Sequence, residues 1–231
     1  MVNRDLPTGE AKTVAVRRMF DTIAPRYEMV NKVMTFGLDG WWRRRAVRDL
    51  YLAPRSVVLD VAAGTGDFVR ELERQGHRAI GVDLSFGMLA AGHGMDRRVQ
   101  ADASQLPFPD GAFDGVTCGY ALRNFTDLAA TLREMGRVVR PGGRLSFLEV
   151  AEPESGLLKT GFRLWFRRLV PLVGSVLSDR DAYSYLPRST AYLPPRADLL
   201  DLVRAAGFTA VNHRRVMGGL SQQIVATKEG A

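Results

Sequence analysis

Two aspartates and a glycine turn between them form the stretch of this sequence that is best placed to do chemistry. Asp60 lies near the end of the otherwise apolar run 57–61, and the small residues Ala62–Gly66 separate this run from Asp67, which opens a helix-compatible run. A strand, a tight turn and a helix N-terminus together surround a ligand with backbone N–H groups. The acids would repel a diphosphate, Val69 replaces the third glycine of G-x-G-x-x-G, and no Gly-Lys-Ser/Thr follows. The turn therefore predicts a ligand with cationic groups.

Two further carboxylates end the next two predicted strands. Asp83 closes "RAIGVD", and Asp102, with Ala103 after it, closes "RVQAD". In an open α/β sheet, ligands bind beyond the carboxyl ends of the strands. There Asp83 could accept both hydroxyls of a ribose, and Asp102 with the next amide could bind an adenine edge. Asp60 and Gly64–Gly66 would face an ammonium and a sulfonium, so the set predicts S-adenosylmethionine (SAM). The alternative is that these acids only cap helices and form turns.

The elements that must position these acids alternate along the chain. Strands alternating with helices indicate parallel β/α units, and a late glycine turn, "MGG", indicates an antiparallel hairpin. We therefore predict an α/β fold: a doubly wound, mostly parallel seven-stranded sheet with N-terminal helices and a helical insertion before the last helix and hairpin. The predicted strands are "SVVLDVA", "RAIGVDL", "RVQAD", "FDGVTCGYAL", "RLSFLEV", "FTAVNHRRV" and "SQQIVATK".

A single domain over residues 1–231 is expected, because this length suits one α/β domain. Its predicted parts are an N-terminal helical cap (1–52), a SAM-binding core (53–150), an insertion (154–193) and a C-terminal helix with the hairpin (194–231). The insertion contains "LLKTGFRLWFRRLVPLVGSVL", which is apolar with interleaved arginines. It could belong to the core, cover a pocket or contact a membrane interface.

Composition narrows the class of protein and its compartment. The net charge of +7 comes almost entirely from arginine and fits nucleic acid, an anionic membrane or a plainly solvated surface. The single cysteine, Cys118, excludes an internal disulfide, and three scattered histidines have no metal-ligand spacing. No uncharged apolar run reaches about 18 residues, and "MVNRDLPTGEAKT" lacks a secretory apolar region. We expect a cytoplasmic protein without a metal.

The sequence resembles the class I SAM-dependent methyltransferases, and more narrowly the UbiE/MenG C-methyltransferases of quinone biosynthesis. The resemblance covers nearly the whole chain. It is carried by "FDTIAPRYEMVNKVMTFGLDGWWRRRAV", "VLDVAAGTGD", "ADASQLPFPDGAFDGVTCGYALRNFTD" and "RDAYSYLPRSTAYLPP". The family's SAM positions then fall on Thr65, Asp83, Asp102, Ala103 and Gly119. Gly119 stands where the family usually has serine, so one polar contact is lost there.

The resemblance implies a lipophilic, polyprenylated quinol as substrate, methylated on a ring carbon without a metal. The demethylmenaquinol branch is favoured over ubiquinone precursors by overall pattern alone. A cation beside the ring oxygen would stabilise the developing anion, and Arg123, just past the fourth predicted strand, is the candidate. The alternative for Arg123 is a surface or helix-capping arginine. Asn124 could orient the ring oxygen or hold the turn, and Tyr27 could help to deprotonate the hydroxyl or simply pack.

Other functions stay open at this stage. The chain could methylate another lipophilic small molecule. It could also be a nucleic-acid-binding protein that contains SAM. The arginine excess favours this second alternative, and the absence of aromatic–basic binding modules speaks against it. Cys118 lies in an apolar strand, where an inert buried thiol is expected rather than a nucleophile. Peripheral contact of the insertion with the inner, anionic face of a membrane is expected, and a homodimer is left open.

Overall fold

The computed structural model of the chain describes residues 7–35, 37–151, 153, 156, 160–161, 185 and 188–230. Most of the predicted insertion 154–193, and with it the interpretations placed on its apolar stretch, lies outside the described residues. Across the part that is described, no helix has the length and apolar character needed to cross a bilayer.

One seven-stranded sheet organises the fold, in the strand order β3-β2-β1-β4-β5-β7-β6. Strands β1 to β5 pair in parallel, and β7 pairs antiparallel with both β5 and β6. The predicted doubly wound, mostly parallel sheet with a late antiparallel hairpin is confirmed. The strands are β1 Val57–Val61, β2 Arg78–Asp83, β3 Arg98–Gln100, β4 Phe113–Gly119, β5 Val139–Val150, β6 Phe208–Val216 and β7 Ser221–Lys228.

Helices cover both faces of the sheet, because alternate strand residues point to opposite sides. On β1, Leu59 and Val61 pack in a cluster with residues of α6 and α7. Val58 packs on the other side, in a cluster with residues of α3 and α4. The helices are α1 Gly9–Ile23, α2 Tyr27–Met34, α3 Asp39–Arg48, α4 Asp67–Arg74, α5 Phe86–Ala91, α6 Leu128–Val138 and α7 Arg196–Ala205.

Two strand boundaries differ from the sequence-based expectation by three residues or more. The fourth strand ends at Gly119 rather than Leu122, because Tyr120 has a left-handed backbone (φ 59°) and a short 3-10 turn, Leu122–Asn124, follows. Strand β5 begins at Val139, before the Pro-Gly-Gly segment, through an irregularity in its pairing with β4. The early end of β4 matters for function, since it turns the chain across the carboxyl edge of the sheet.

Candidate active site

A cavity of about 250 Å³ lies where the strands β1, β2 and β4 end. The N-terminal helices cover it with side chains of α1 and with the first residue of α2. The predicted site residues that line the cavity are Gly64, Asp83, Asp102, Ala103, Gly119, Tyr27 and Asn124. Those that are not among its lining residues are Asp60, Thr65, Gly66 and Arg123.

Asp83 holds the glycine turn in place. Its Oδ2 accepts the N–H of Gly64 at 2.8 Å, and its Oδ1 accepts the N–H of Ser85 at 2.8 Å. Gly64 (φ 57°) and Gly66 (φ 90°) have the left-handed backbone that this turn needs. Burial raises the pKa of Asp83 to about 6, against the lowering effect of the two amides. Each carboxylate oxygen has a second lone pair, so Asp83 can hold the turn and still accept hydroxyl groups from a ligand.

Asp60 lies inside the sheet and does not line the cavity. It is 1% exposed and accepts a hydrogen bond from Thr117 Oγ1 at 2.7 Å. Burial raises its pKa to about 8, so the side chain is mostly neutral at pH 7. This geometry does not support the expectation that Asp60 faces the cationic part of a ligand.

Asp102 and Ala103 follow β3 at the other end of the cavity. Asp102 Oδ1 accepts the N–H of Ser104 at 2.8 Å and its hydroxyl at 2.7 Å. The sequence between Ala101 and Ser104 thus turns at the carboxyl edge and presents a carboxylate and backbone amides beside Asp83. That is the arrangement expected for a nucleoside with a free base edge.

Tyr27, at the start of α2, contributes a half-buried phenol to the cavity wall. Its ring packs edge-on against Phe20 of α1, with 6.1 Å between the ring centres. Burial raises the pKa of Tyr27, although Asn31, Arg43 and Arg123 oppose that effect. A phenol with a raised pKa keeps its proton at neutral pH, so Tyr27 is suited to donate a hydrogen bond rather than to act as a base.

The turn after β4 brings Asn124 to the cavity and Arg123 to the interior. Asn124 is 9% exposed, lines the cavity and accepts a hydrogen bond from the Tyr185 hydroxyl at 3.4 Å. Arg123 is 4% exposed, so it is not the surface arginine that we considered as the alternative. Its Nη1 donates to Glu149 Oε1 at 2.5 Å and to the Tyr120 carbonyl at 2.7 Å. In this structure its charge is neutralised by Glu149, which the sequence analysis did not single out.

A second buried cation that sequence analysis missed is Lys12 of α1. Its Nζ donates to the carbonyls of Arg123 (3.0 Å) and Phe125 (2.7 Å) and lies 3.7 Å from the ring centre of Tyr192. Burial lowers the pKa of Lys12 to about 8. Lys12 therefore joins the N-terminal helix, the turn after β4 and the segment near 190. No local signal marks it, since a lysine in an amphipathic helix is usually exposed.

Ion pairs also join the N-terminal helices to the glycine turn. Arg43 of α3 contacts Asp39 at 2.7 Å and Asp67, the first residue of α4, at 2.8 Å. Arg70 of α4 contacts Glu28 of α2 at 2.8 Å and donates to the carbonyl of Thr65 at 2.8 Å. Burial alone would raise the pKa of Glu28, but Arg70 holds it below its usual value. Asp67, on the C-terminal side of the turn, and Glu28 of α2 thus fasten the N-terminal helices to α4.

The sequence predicts neither a cysteine nucleophile nor a metal site, and the described residues bear on both expectations. Cys118 is fully buried, and burial raises its pKa well above the ordinary thiol value, so it is not an activated nucleophile. Among the residues that the structure describes, no cluster of three His, Cys, Asp or Glu side chains could hold a metal ion. The metal-free reaction itself stays a prediction.

The chain matches a family of known proteins over nearly its whole length. The family model described as the ubiE/COQ5 methyltransferase family matches residues 8–228. A demethylmenaquinone methyltransferase from Roseiflexus sp. (strain RS-1) is 43% identical over 235 residues, covering 97% of this chain and 98% of the relative. A protein of the same name from Deinococcus radiodurans is 39% identical over 234 residues, covering 96% and 97%.

Solved structures resemble the fold at lower identity. The "[4+2]-Cyclase SpnF" superposes with a TM-score of 0.68 at 18% identity, covering 97% of this chain and 98% of the cyclase. A Thermotoga maritima protein described as "SAM-dependent methyltransferase, possible histamine N-methyltransferase" has a TM-score of 0.66 at 20% identity, covering 93% and 100%. One is described as a cyclase and the other as a methyltransferase, so the fold by itself does not determine the reaction.

Proposed function

Because the chain belongs to the ubiE/COQ5 methyltransferase family, we propose that it transfers a methyl group from SAM to a ring carbon of a polyprenylated quinol. The proposed substrate is demethylmenaquinol and the product menaquinol. What carries this choice is that relatives named demethylmenaquinone methyltransferase align with this chain from end to end at about 40% identity. A ubiquinone precursor is the nearest alternative acceptor of the same chemical class.

The cavity fits SAM by the chemistry of its lining residues. Asp83 offers carboxylate oxygens to the ribose hydroxyls, and Asp102 with the amide of Ala103 offers a matching edge to adenine. Gly64 and Gly119 line the cavity, and Met88 and Phe68 fill the space that a side chain at these two positions would occupy. Since Asp60 is buried and mostly neutral, the ammonium group of the methionine part would be held chiefly by the backbone carbonyls of the turn.

When bound, SAM supplies an electrophilic methyl group, which an aromatic carbon beside a phenolic oxygen can accept. The chain's part is to align the ring with that methyl and to exclude water. Tyr27 and Asn124 line the same cavity, and we propose that they hydrogen-bond the ring oxygens. The side chains of Val16, Phe20 and Phe125 supply an apolar wall for the ring. After the methyl transfer, the ring proton is proposed to pass to solvent water when the site opens to release the product.

The proposal is tested by methylation of a short-chain demethylmenaquinol by the purified protein with SAM. The expected product carries one added ring methyl by mass spectrometry, and a chelator leaves the rate unchanged. A short-chain ubiquinone precursor, assayed in parallel, should be methylated more slowly. Methylation of the ubiquinone precursor alone would reassign the substrate, and loss of activity on chelation would contradict the metal-free reaction.

The SAM site has its own test. Asp83→Ala should weaken SAM binding by about 1.5–3 kcal/mol, the cost of losing a charge-assisted hydrogen bond. Isothermal calorimetry measures this directly. An unchanged dissociation constant would remove Asp83 from the site.

A further inference from the structure

We propose that the outward face of α2 and α3 is a docking surface for an anionic lipid bilayer. We call it the α2–α3 face and define it by Met29, Lys32, Val33, Leu38 and Trp41, together with Arg44, Arg45 and Arg48. The inference rests on the proposed function, because a polyprenylated quinol resides in a bilayer. It also moves the membrane contact away from the insertion, where the sequence placed it.

Exposed apolar side chains are concentrated on this face. Seven large hydrophobic side chains of the described residues are exposed, and four of them fall between positions 29 and 41. Their exposed fractions are 47% for Met29, 42% for Val33, 37% for Leu38 and 44% for Trp41. An isolated exposed apolar residue needs no explanation, but a group this close in sequence marks an interaction site.

A compact connection brings the four together. Met29 and Val33 are four residues apart on α2 and so share one side of that helix. The turn to α3 is closed by hydrogen bonds from the N–H of Gly37 to the Lys32 carbonyl (2.9 Å) and from the N–H of Trp41 to the Leu38 carbonyl (3.0 Å). The apolar side chains at the end of α2 and the start of α3 therefore lie around one short turn.

The charges on the same face favour an anionic partner. Lys32, Arg44, Arg45 and Arg48 are all exposed. The acids of these helices point elsewhere: Glu28 pairs with Arg70, and Asp39 is buried against Arg43. Asp49, just after α3, is bound by Arg214. Asp49 also lies 3.9 Å from Arg45, so one acid contacts a cation of the face, while Lys32, Arg44 and Arg48 keep the net charge of the face positive. Trp41 with Arg45 over its ring, 5.9 Å from its centre, is the combination typical of helices that lie in a membrane interface.

The inner side of the same helices is firmly packed, so the exposed residues are not a poorly formed core. Trp42, Ala46 and Val47 are buried against the sheet, and Arg43 ties α3 to α4. Tyr27, on the inner side of α2, lines the cavity. Docking of this face would thus hold the cover of the active site at the bilayer that contains the substrate.

A bilayer fits this face better than a nucleic acid. Nucleic-acid surfaces combine cations with aromatic rings that stack on bases, whereas three of the four apolar residues here are aliphatic. Aliphatic side chains gain free energy by entering the acyl boundary.

Vesicle co-sedimentation of the full chain tests the surface. Wild-type protein should bind phosphatidylcholine vesicles that contain phosphatidylglycerol, bind weakly without it, and release as salt rises. Leu38→Ser/Trp41→Ser should lower the partition coefficient by at least about tenfold, as should Arg44→Gln/Arg45→Gln/Arg48→Gln. The matched controls are Phe86→Ser, at an exposed apolar residue elsewhere, and Arg78→Gln/Arg133→Gln/Arg196→Gln, which remove the same charge from other exposed positions. Both should bind as wild type does.

Activity separates this inference from the proposed function. The face variants should methylate a water-soluble short-chain quinol at the wild-type rate and a long-chain quinol in vesicles at least about tenfold more slowly. If wild-type protein methylates neither quinol, the proposed function fails while the binding data still test the face. Three results would each overturn the proposal. The face variants could bind vesicles as wild type does, or the control variants could lose binding to the same extent. The wild-type protein could also bind single-stranded RNA in preference to vesicles at the same salt concentration.

Discussion

The guanidinium of Arg123 and the carboxylate of Glu149 form an ion pair in the interior, with 4% and 1% of their side chains exposed. Glu149 also accepts the N–H of Val150 at 2.8 Å, and Arg123 Nε donates to Ser189 at 3.1 Å. The pair therefore links the end of β4 to the end of β5. It holds the turn that presents Asn124 to the cavity.

Removing one partner of this pair should be costly. Arg123→Met leaves the Glu149 carboxylate buried and unpaired, so the free energy of unfolding should fall by about 3–5 kcal/mol, as measured by urea denaturation. The double variant Arg123→Met/Glu149→Met should regain much of that loss, because neither charge is then buried alone.

Turnover of the same variants tests the role of Arg123 in catalysis. If Arg123 stabilises the substrate's anion, the double variant should regain stability but turn over quinol about 10²–10³ times more slowly than the parental protein. Its affinity for SAM should be unchanged. Recovery of the parental rate in the double variant would show that the arginine acts only through the structure.

SAM affinity should depend on the ionisation of Asp83. Its pKa in the ligand-free protein is raised to about 6, and only the carboxylate accepts hydrogen bonds from two hydroxyls. As the pH falls below 6, the dissociation constant should rise by up to about tenfold per unit. Asp83→Asn should bind weakly at every pH and lose this dependence. Calorimetry between pH 5 and pH 8 measures it, and an equal slope in both proteins would assign the titration to another group.

Protein stability should depend on pH through Asp60. Because its folded pKa is raised to about 8 and its unfolded pKa is about 3.9, the native state binds the extra proton between these values. Stability from this group is therefore complete below about pH 4 and falls as the pH rises toward 8, by up to about 1.4 kcal/mol per unit. Asp60→Asn keeps an acceptor for Thr117 and removes this slope. The free energy of unfolding is measured for both proteins at pH 5, 7 and 8.5. As the pH rises, the parental protein should lose stability relative to Asp60→Asn. An equal pH dependence in the two proteins would contradict the raised pKa of Asp60.

Gly119 and Phe68 should behave as a coupled pair. A Cβ at Gly119 would lie 2.6 Å from Phe68 Cε2, so Gly119→Ser should lower stability by about 1–3 kcal/mol. Phe68→Leu shortens that side chain, and the double variant should be more stable than the sum of the two single losses predicts. A urea-denaturation cycle with Phe68→Leu alone as its control measures the coupling; additive effects would mean that Phe68 moves aside freely.

Lys12 should support the cavity wall through two carbonyl groups. Lys12→Met leaves the Arg123 and Phe125 carbonyls without their buried donor, at a cost of about 1–3 kcal/mol. Because Phe125 lines the cavity, the KM for quinol should also rise. Lys32→Met, at an exposed lysine, is the control and should leave both the unfolding free energy and the KM for a water-soluble short-chain quinol unchanged. Equal effects of the two changes would remove this role.

The sequence by itself determined the fold and the main outline of the cavity. The alternation of strands and helices is local information, and parallel strands bring their carboxyl ends to one edge. That rule alone predicts that Asp83, Asp102 and Gly64 lie at one edge of the sheet, and the structure places all three in the wall of one cavity. The turn after β4 was not determined in this way: the sequence pattern extends the fourth strand to Leu122 and leaves open whether Asn124 orients the ring oxygen or holds the turn, whereas the structure ends the strand at Gly119 and places Asn124 in the cavity wall.

Only the tertiary structure decided how the charged groups are paired. Glu149 neutralises Arg123 across neighbouring strands, Thr117 binds Asp60 across 57 positions, and Lys12 reaches its acceptors across more than 100. Charge and pKa depend on burial and on partners distant in sequence, which neither periodicity nor spacing encodes. The same reason applies to Asp60. Its position near a strand end is local information and predicts a carboxylate that faces the ligand, but its burial inside the sheet depends on the tertiary structure.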